Sequence, residues 1–210
     1  MRSHSLGTEL QSDDWGDWGE GEIAVKRASD LIASLLLLVV FALPIAVLAL
    51  LVRLTSKGPA LYWSNRVGRW NQIFSMPKFR SMRVNAPQVA THLLSAPDAL
   101  LTPIGGFLRR SSLDELPQLF SVLRGDLSLV GPRPALFNQD DLIALRNEFG
   151  VHHLLPGITG WAQVNGRDDL PIPEKVRFDR EYLERHSFWF DIKILFLTVL
   201  KVVRREGVSH

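Results

Sequence analysis

The chain contains no cysteine, which excludes a disulfide framework and a thiolate zinc centre and suits a reducing compartment. It has no low-complexity tract and no internal repeat. The glycine patterns of P-loop and dinucleotide-binding proteins are missing, and so is the G-x-S-x-G elbow of a serine hydrolase. Its histidines (His4, His92, His152, His153, His186 and His210) show neither metalloprotease nor triad spacing. No helix-turn-helix, zinc-finger or RNA-binding signature occurs, so nucleic acid is not the expected partner of its cations.

What is present is a chain of 210 residues, 46% apolar, enough for one domain or one domain plus an anchor. The formal charge of +2 hides an uneven distribution. Residues 1–25 carry one basic and six acidic side chains, whereas residues 53–133 carry eleven Lys/Arg against four Asp/Glu. A basic block that follows a hydrophobic stretch points to anionic lipid or phosphate.

That stretch, Leu31 to Val52, is 22 residues without a charge, and about 20 suffice to cross a bilayer. It is too long for the core of a cleaved signal peptide, and an acidic leader precedes it. Pro44 lies near its middle, where a proline removes a backbone hydrogen bond and kinks a helix. Both flanks are basic: Lys26 and Arg27 before, Arg53 and Lys57 after. Two readings stay open. One is an ordinary span with a tolerated proline; the other is a helix that enters, bends at Pro44 and leaves by the same face.

Beyond the anchor, Ala60–Trp63 and Gln72–Ser75 read as short extended segments. Lys78, Arg80 and Arg83 follow within six residues, as a solvated basic strand or as phosphate ligands. Leu116, Leu119, Phe120 and Leu123 then fall on one helical face, and Pro117 requires that helix to start near Asp114. There Asp114 and Glu115 read from their spacing as a helix cap, and alternatively as carboxylates that hold a divalent metal against a diphosphate. Arg109 and Arg110 lie just upstream, and Arg133 sits between Pro132 and Pro134; arginine forks match phosphate in bidentate fashion. Pro156–Gly160 and Asn165-Gly166-Arg167 are glycine-bearing turns. Residues 174–185 read as a charged, solvated helix. Residues 188–203 read as a core or interfacial helix, since Asp191 and Lys193 interrupt their apolar run.

Several strings resemble, in order, those of the monotopic phosphoglycosyl transferases, also called bacterial sugar transferases. They are the KRxxD opening (Lys26, Arg27, Asp30), the proline-broken helix, SKGPALYWSNRVGR, KFRSM, LRRSSLDELPQLFSVLRGDLSLVGPRP, LPGITGWAQVNGR and the FDIK…GVSH ending. The resemblance implies a mixed α/β, mostly helical fold. Residues 1–25 would be a disordered acidic tail and residues 26–55 a re-entrant membrane helix bent at Pro44. Residues 56–210 would be a catalytic domain with interfacial amphipathic helices. The chain would be the minimal form of the family, monotopic on the cytoplasmic face of the bacterial inner membrane.

It also implies the chemistry. The catalytic dyad falls on Asp114 and Glu115, with Mg²⁺ as cofactor bound by the same pair. Asp114 attacks a UDP-sugar, UMP leaves, and polyprenyl phosphate takes the phosphosugar from the aspartyl intermediate. Glu115 is either a metal ligand or a base. Lys78, Arg109 and Arg133 take the family's cationic positions, and Asp191 a supporting one. Arg80 of KFRSM and Arg167 of NGR complete the cations expected at phosphate or nucleotide. The minimal form inclines toward N-acetylated or diacetamido sugars, and a homodimer is left open. Two features depart from the pattern: Leu43 stands where several relatives have Ser, and residues 84–102 carry no motif. A lipid-binding scaffold and a single-span glycosyltransferase that releases UDP are the rival readings.

Overall fold

Two helices, α1 (Glu20–Val40) and α2 (Ala42–Thr55), meet at Phe41 with a bend of 63°. The computed structural model describes residues 19–87, 97–166 and 170–204. Residues 1–18, part of the 84–102 segment, Arg167 and the last six residues therefore lie outside the described residues. Helix α1 begins at Glu20, within the range 1–25 expected as a tail. The bend has a local cause one turn away. Pro44 has no N–H to give the Val40 carbonyl, and its ring crowds that carbonyl. The break therefore falls at Phe41, while Pro44 itself sits in the first turn of α2, where proline is tolerated. Leu43 in place of Ser does not prevent it.

Among the described residues no single helix is long and apolar enough to cross a membrane; only the bent pair is, taken together. Its outer surface is that of a membrane-associated element. Ile32, Leu35, Leu36, Leu43 and Leu54 are all exposed, while Asp30 and Ser34 are buried against the rest of the protein. A soluble amphipathic helix would show the reverse.

After α2 the chain forms an antiparallel hairpin, β1 (Leu61–Val67) and β2 (Ile73–Phe79), paired from Leu61↔Phe79 to Val67↔Ile73. Alternation puts Phe74, Met76 and Lys78 on one face of β2 and Pro77 and Phe79 on the other. A short helix α3 (Gly105–Arg110) leads through a 3₁₀ turn, Leu113–Glu115, into α4 (Gln118–Arg124). Strand β3 (Ser128–Val130) pairs in parallel with β4 (Gly157–Thr159), with α5 (Asp140–Glu148) between them. Helices α6 (Trp161–Asn165), α7 (Ile172–Arg185) and α8 (Phe188–Arg204) complete the domain. The β3–β4 region is packed at backbone distance. A Cβ on Gly157 or on Gly160 would collide with the backbone of Gly131, so glycine is required for close approach.

Met76 of β2, Leu119 and Val122 of α4, and Tyr182, Phe190 and Ile194 of the last two helices share the main core. A second cluster joins Leu48 and Val52 of α2 to Phe79 and Leu108, with Leu113 and Leu116 against it. The segment Leu113–Val122 thus bridges the two clusters. Its apolar side is not the one expected: Leu119 and Val122 are buried, whereas Phe120 is half exposed.

The KRxxD residues fasten α1 to this domain. Lys26 Nζ pairs with Asp191 Oδ2 of α8 at 2.5 Å and donates to the Val130 carbonyl at 3.1 Å. Arg27 donates to the Val122 and Leu123 carbonyls at 2.7 and 3.1 Å, satisfying the C-terminal end of α4. Asp30 Oδ1 accepts the Leu129 amide at 3.1 Å. Removing a buried acceptor strands its donor, at about 1–3 kcal/mol. Asp30→Ala is therefore expected to lower the unfolding midpoint in detergent by roughly 2–10 °C. Ile32→Ala, on the outward side of the same turn, should leave it nearly unchanged.

Candidate active site

The dyad does not cap a helix. Ser112 adopts a left-handed backbone (φ 55°, ψ 16°), a conformation uncommon outside glycine and frequent at functional sites. Consecutive three-residue hydrogen bonds follow: Glu115 N to Ser112 O, Leu116 N to Leu113 O, Leu119 N to Leu116 O and Phe120 N to Pro117 O. The Leu113 carbonyl occupies the Leu116 amide that a capping Asp114 would have taken, Pro117 has no N–H to offer, and α4 starts only at Gln118. The 3₁₀ spacing of three residues per turn turns Leu113, Leu116, Leu119 and Val122 toward the two apolar clusters. The carboxylates are left on other sides of the turn.

Glu115 is locked. Its Oε1 accepts from Lys78 Nζ at 2.8 Å and from Arg133 Nη2 at 2.7 Å. Lys78 arrives because it shares a face of β2 with Met76, which packs beside Leu119 and Val122. Arg133 arrives from the loop after β3. Burial alone would raise the Glu115 carboxyl, but the Arg133 and Lys78 charges and their hydrogen bonds hold it well below the ordinary carboxylate range.

Asp114 is different. Only 9% exposed, its carboxyl accepts no hydrogen bond from the described residues. Burial pushes it up to about 6 from the ordinary 3.8; Lys78 opposes that rise, Glu115 adds to it, and Arg133 and Arg109 oppose it. The result is a buried carboxylate, ionised at neutral pH, beside cations that do not bind it. Such a group can act as a nucleophile or a ligand.

Residues 21–205 match the sequence profile described as "Bacterial sugar transferase". The chain belongs to the bacterial sugar transferase family. It is 41% identical, over 93% of its length, to the undecaprenyl-phosphate glucose phosphotransferase of Komagataeibacter xylinus, and covers 38% of that protein. It is 42% identical, over 84% of its length, to the UDP-glucose:undecaprenyl-phosphate glucose-1-phosphate transferase of Escherichia coli, and covers 40% of it. The chain thus spans about two fifths of these relatives. It covers 91% of the uncharacterized sugar transferase EpsL of Bacillus subtilis, at 41% identity.

The remaining site residues divide. Arg109, at the end of α3, acts on Asp114 through its charge. Arg80 is directed elsewhere: 4% exposed, it donates to the Lys57 carbonyl and to both oxygens of Ser56, closing the end of α2. Asp191 bonds Lys26 and the Tyr182 hydroxyl (2.7 Å), so its support goes to the junction of α1, α7 and α8. Arg146 and Asp179, absent from the sequence-based set, form a buried ion pair at 2.6 Å. Asp179 stands in a helix whose charges read as solvated, and only its place on the inner side of α7 distinguishes it.

For Mg²⁺ the donor set can be tested directly. Among the described residues no three His, Asp or Glu side chains converge as a cage. Both Asp114 oxygens and Glu115 Oε2 carry no hydrogen bond from the described residues. That set fits a hard cation that takes one or two carboxylates and completes its shell with phosphate oxygens and water.

A carboxyl raised on folding stabilises the fold only while protonated. That contribution is lost as the pH rises from the ordinary value, 3.8, through about 6. Asp114→Asn is therefore expected to raise the unfolding midpoint by a few degrees at pH 7.5, without added divalent cation. The gain should shrink toward pH 4, as thermal scans at the two pH values would show.

Proposed function

We propose that this chain transfers a sugar 1-phosphate from a UDP-sugar to polyprenyl phosphate, releasing UMP, through a phosphosugar-aspartyl intermediate on Asp114. The observation that carries this reading is the pairing of an unbonded, buried Asp114 with a Glu115 held by two cations. The relatives' names, which specify undecaprenyl phosphate and glucose or galactose phosphotransfer, supply the substrate class.

In the first step an Asp114 oxygen attacks the phosphorus that carries the sugar. The bond from that phosphorus to the bridging oxygen breaks, and UMP leaves with the electron pair. In the second step an oxygen of polyprenyl phosphate attacks the same phosphorus, and the Asp114 carboxylate is the leaving group. Covalent catalysis of this kind divides one displacement into two. A carboxylate is a weak nucleophile toward an anion, so the charge on the transferred phosphate must be offset. Lys78, Arg109 and Arg133 supply preorganised positive charge for this. Mg²⁺, held through Asp114 and Glu115, would neutralise diphosphate charge when bound. Glu115, held far below neutral pH by its two partners, is a poor base. The acceptor phosphate is already an anion near pH 7 and needs none. Glu115 therefore serves as ligand and as organiser of the cations.

The bent pair is proposed to be re-entrant, with the domain on the cytoplasmic face of the inner membrane, where UDP-sugars are found. Support comes from both ends of the pair. Lys26, Arg27 and Asp30 at one end bind α8, α4 and β3, and Arg80 holds Ser56 and Lys57 at the other. One domain can hold both ends only if they lie on one side of the bilayer.

Purified protein in detergent, given UDP-sugars, polyprenyl phosphate and Mg²⁺, is expected to release UMP. Chelation should stop the release and Mg²⁺ restore it. Asp114→Asn should lower the rate by about 10⁴ or more, and Arg133→Ala by about 10²–10³. Release of UDP would establish the glycosyltransferase reading instead, and lipid binding without turnover the scaffold reading. The chain has no native cysteine, so single cysteines at Glu22 and Lys57 can report topology. Labelling of both from the cytoplasmic side is expected, and labelling from opposite sides would overturn the re-entrant arrangement.

A further inference from the structure

Arg133 stands in Gly131-Pro132-Arg133-Pro134, and neither flanking proline has an N–H to give. The loop can be gripped there mainly by its carbonyls, and each is taken. The Pro132 carbonyl accepts from Gly157 N at 2.9 Å. The Arg133 carbonyl accepts from Arg146 Nη1 at 2.8 Å, and the Pro134 carbonyl from Arg66 Nη1 at 3.2 Å. Of these three donors, Arg146 meets the residue whose side chain reaches Glu115.

Arg146 is itself fixed. It is 8% exposed and Asp179 1%; its Nε and Nη2 donate to Asp179 Oδ2 at 3.0 and 2.6 Å. The guanidinium plane therefore presents one edge to the carboxylate of α7 and Nη1 to the Arg133 carbonyl. Two buried charges are costly unless paired and hydrogen-bonded, and apolar side chains could fill the same space. Their arrangement gives a fork of fixed direction between a helix and a catalytic loop. We propose that Arg146, oriented by Asp179, is a positioning residue that sets the backbone of Arg133 and so the reach of its side chain to Glu115 and the transferred phosphate. The catalytic part of this inference rests on the phosphotransfer reading above; the positional part does not.

The test is a double-mutant cycle with two readouts. Arg146→Lys keeps a cation for Asp179 but loses the planar fork. Arg146→Met with Asp179→Leu removes the pair and leaves no lone buried charge, which keeps the experiment readable if the lysine variant folds poorly. The first readout is the order parameter of the Arg133 Nε–Hε group in ¹⁵N-arginine-labelled protein, its signal identified by its loss in Arg133→Ala. The second is kcat for UMP release. Both Arg146 variants are expected to lower Arg133 order. They should lower kcat about ten- to a hundredfold, with no further loss in the Arg133→Ala background. An unchanged Arg133 signal, a kcat within twofold of the parent, or an equal loss in the Arg133→Ala background would overturn the proposal. Failure of the unmutated protein to release UMP would instead overturn the activity reading. The Arg133 signal would then still decide the positional part.

Discussion

One oxygen atom organises the centre of this protein. Glu115 Oε1 receives Lys78 from the hairpin and Arg133 from the loop after β3, and so joins three segments that are separate in the chain. The charges of Lys78, Arg133 and Arg109 also act on Asp114. Asp114 lies within that field without a bond to it. Burial drives its carboxyl up and the cations draw it back, and the balance near 6 leaves it ionised at neutral pH. Direct pairing with a cation would tie up the oxygens that it now keeps without a hydrogen bond from the described residues. The strained Ser112 and the 3₁₀ turn are what keep the two adjacent carboxylates in such different surroundings.

The anchor and the catalytic core are one mechanical unit. Arg27 closes the C-terminal end of α4, the helix that follows the dyad, and Arg80 closes the end of α2 just beyond its own strand partner of the site, Lys78. Leu48 and Val52 of α2 share a cluster with Phe79 and Leu108, and Leu113 and Leu116 lie against it. With the helix pair in lipid, as proposed, its depth would fix the height of Asp114 above it. On the proposed reaction that height matters, because a lipid phosphate acceptor would bring its attacking oxygen only to the membrane surface.

Much of this was legible in the sequence, and unevenly so. The bend could be read from an uncharged run with a central proline, and parts of β1 and β2 as short extended segments, though not their pairing. The cations around the dyad followed from the motif strings. What could not be read was local partner choice. Asp114 passed for a cap because a carboxylate before a helix usually is one, and only the three-residue hydrogen bonds show its amides taken. Arg80 stands two residues from Lys78, on the same face in a regular strand, yet the chain leaves β2 at Phe79 and turns Arg80 to α2. Lys26 and Arg27 read as the flank of a membrane segment, but their partners lie about a hundred residues or more away in the chain. Asp179 looked like one more charge on a solvated helix, since composition does not reveal which side of an amphipathic helix holds the buried ion.

The contact between Gly131, Gly157 and Gly160 bears on how such a protein can diverge. These backbones touch, and no side chain can be added without moving the loop that carries Arg133. The path for substitution is therefore closed along this seam, for small residues as well as large ones. Variation in side-chain bulk has to accumulate where the chain is free to accept it, outside the glycine seam. The loop that carries Arg133 can then stay fixed while the surface around it changes.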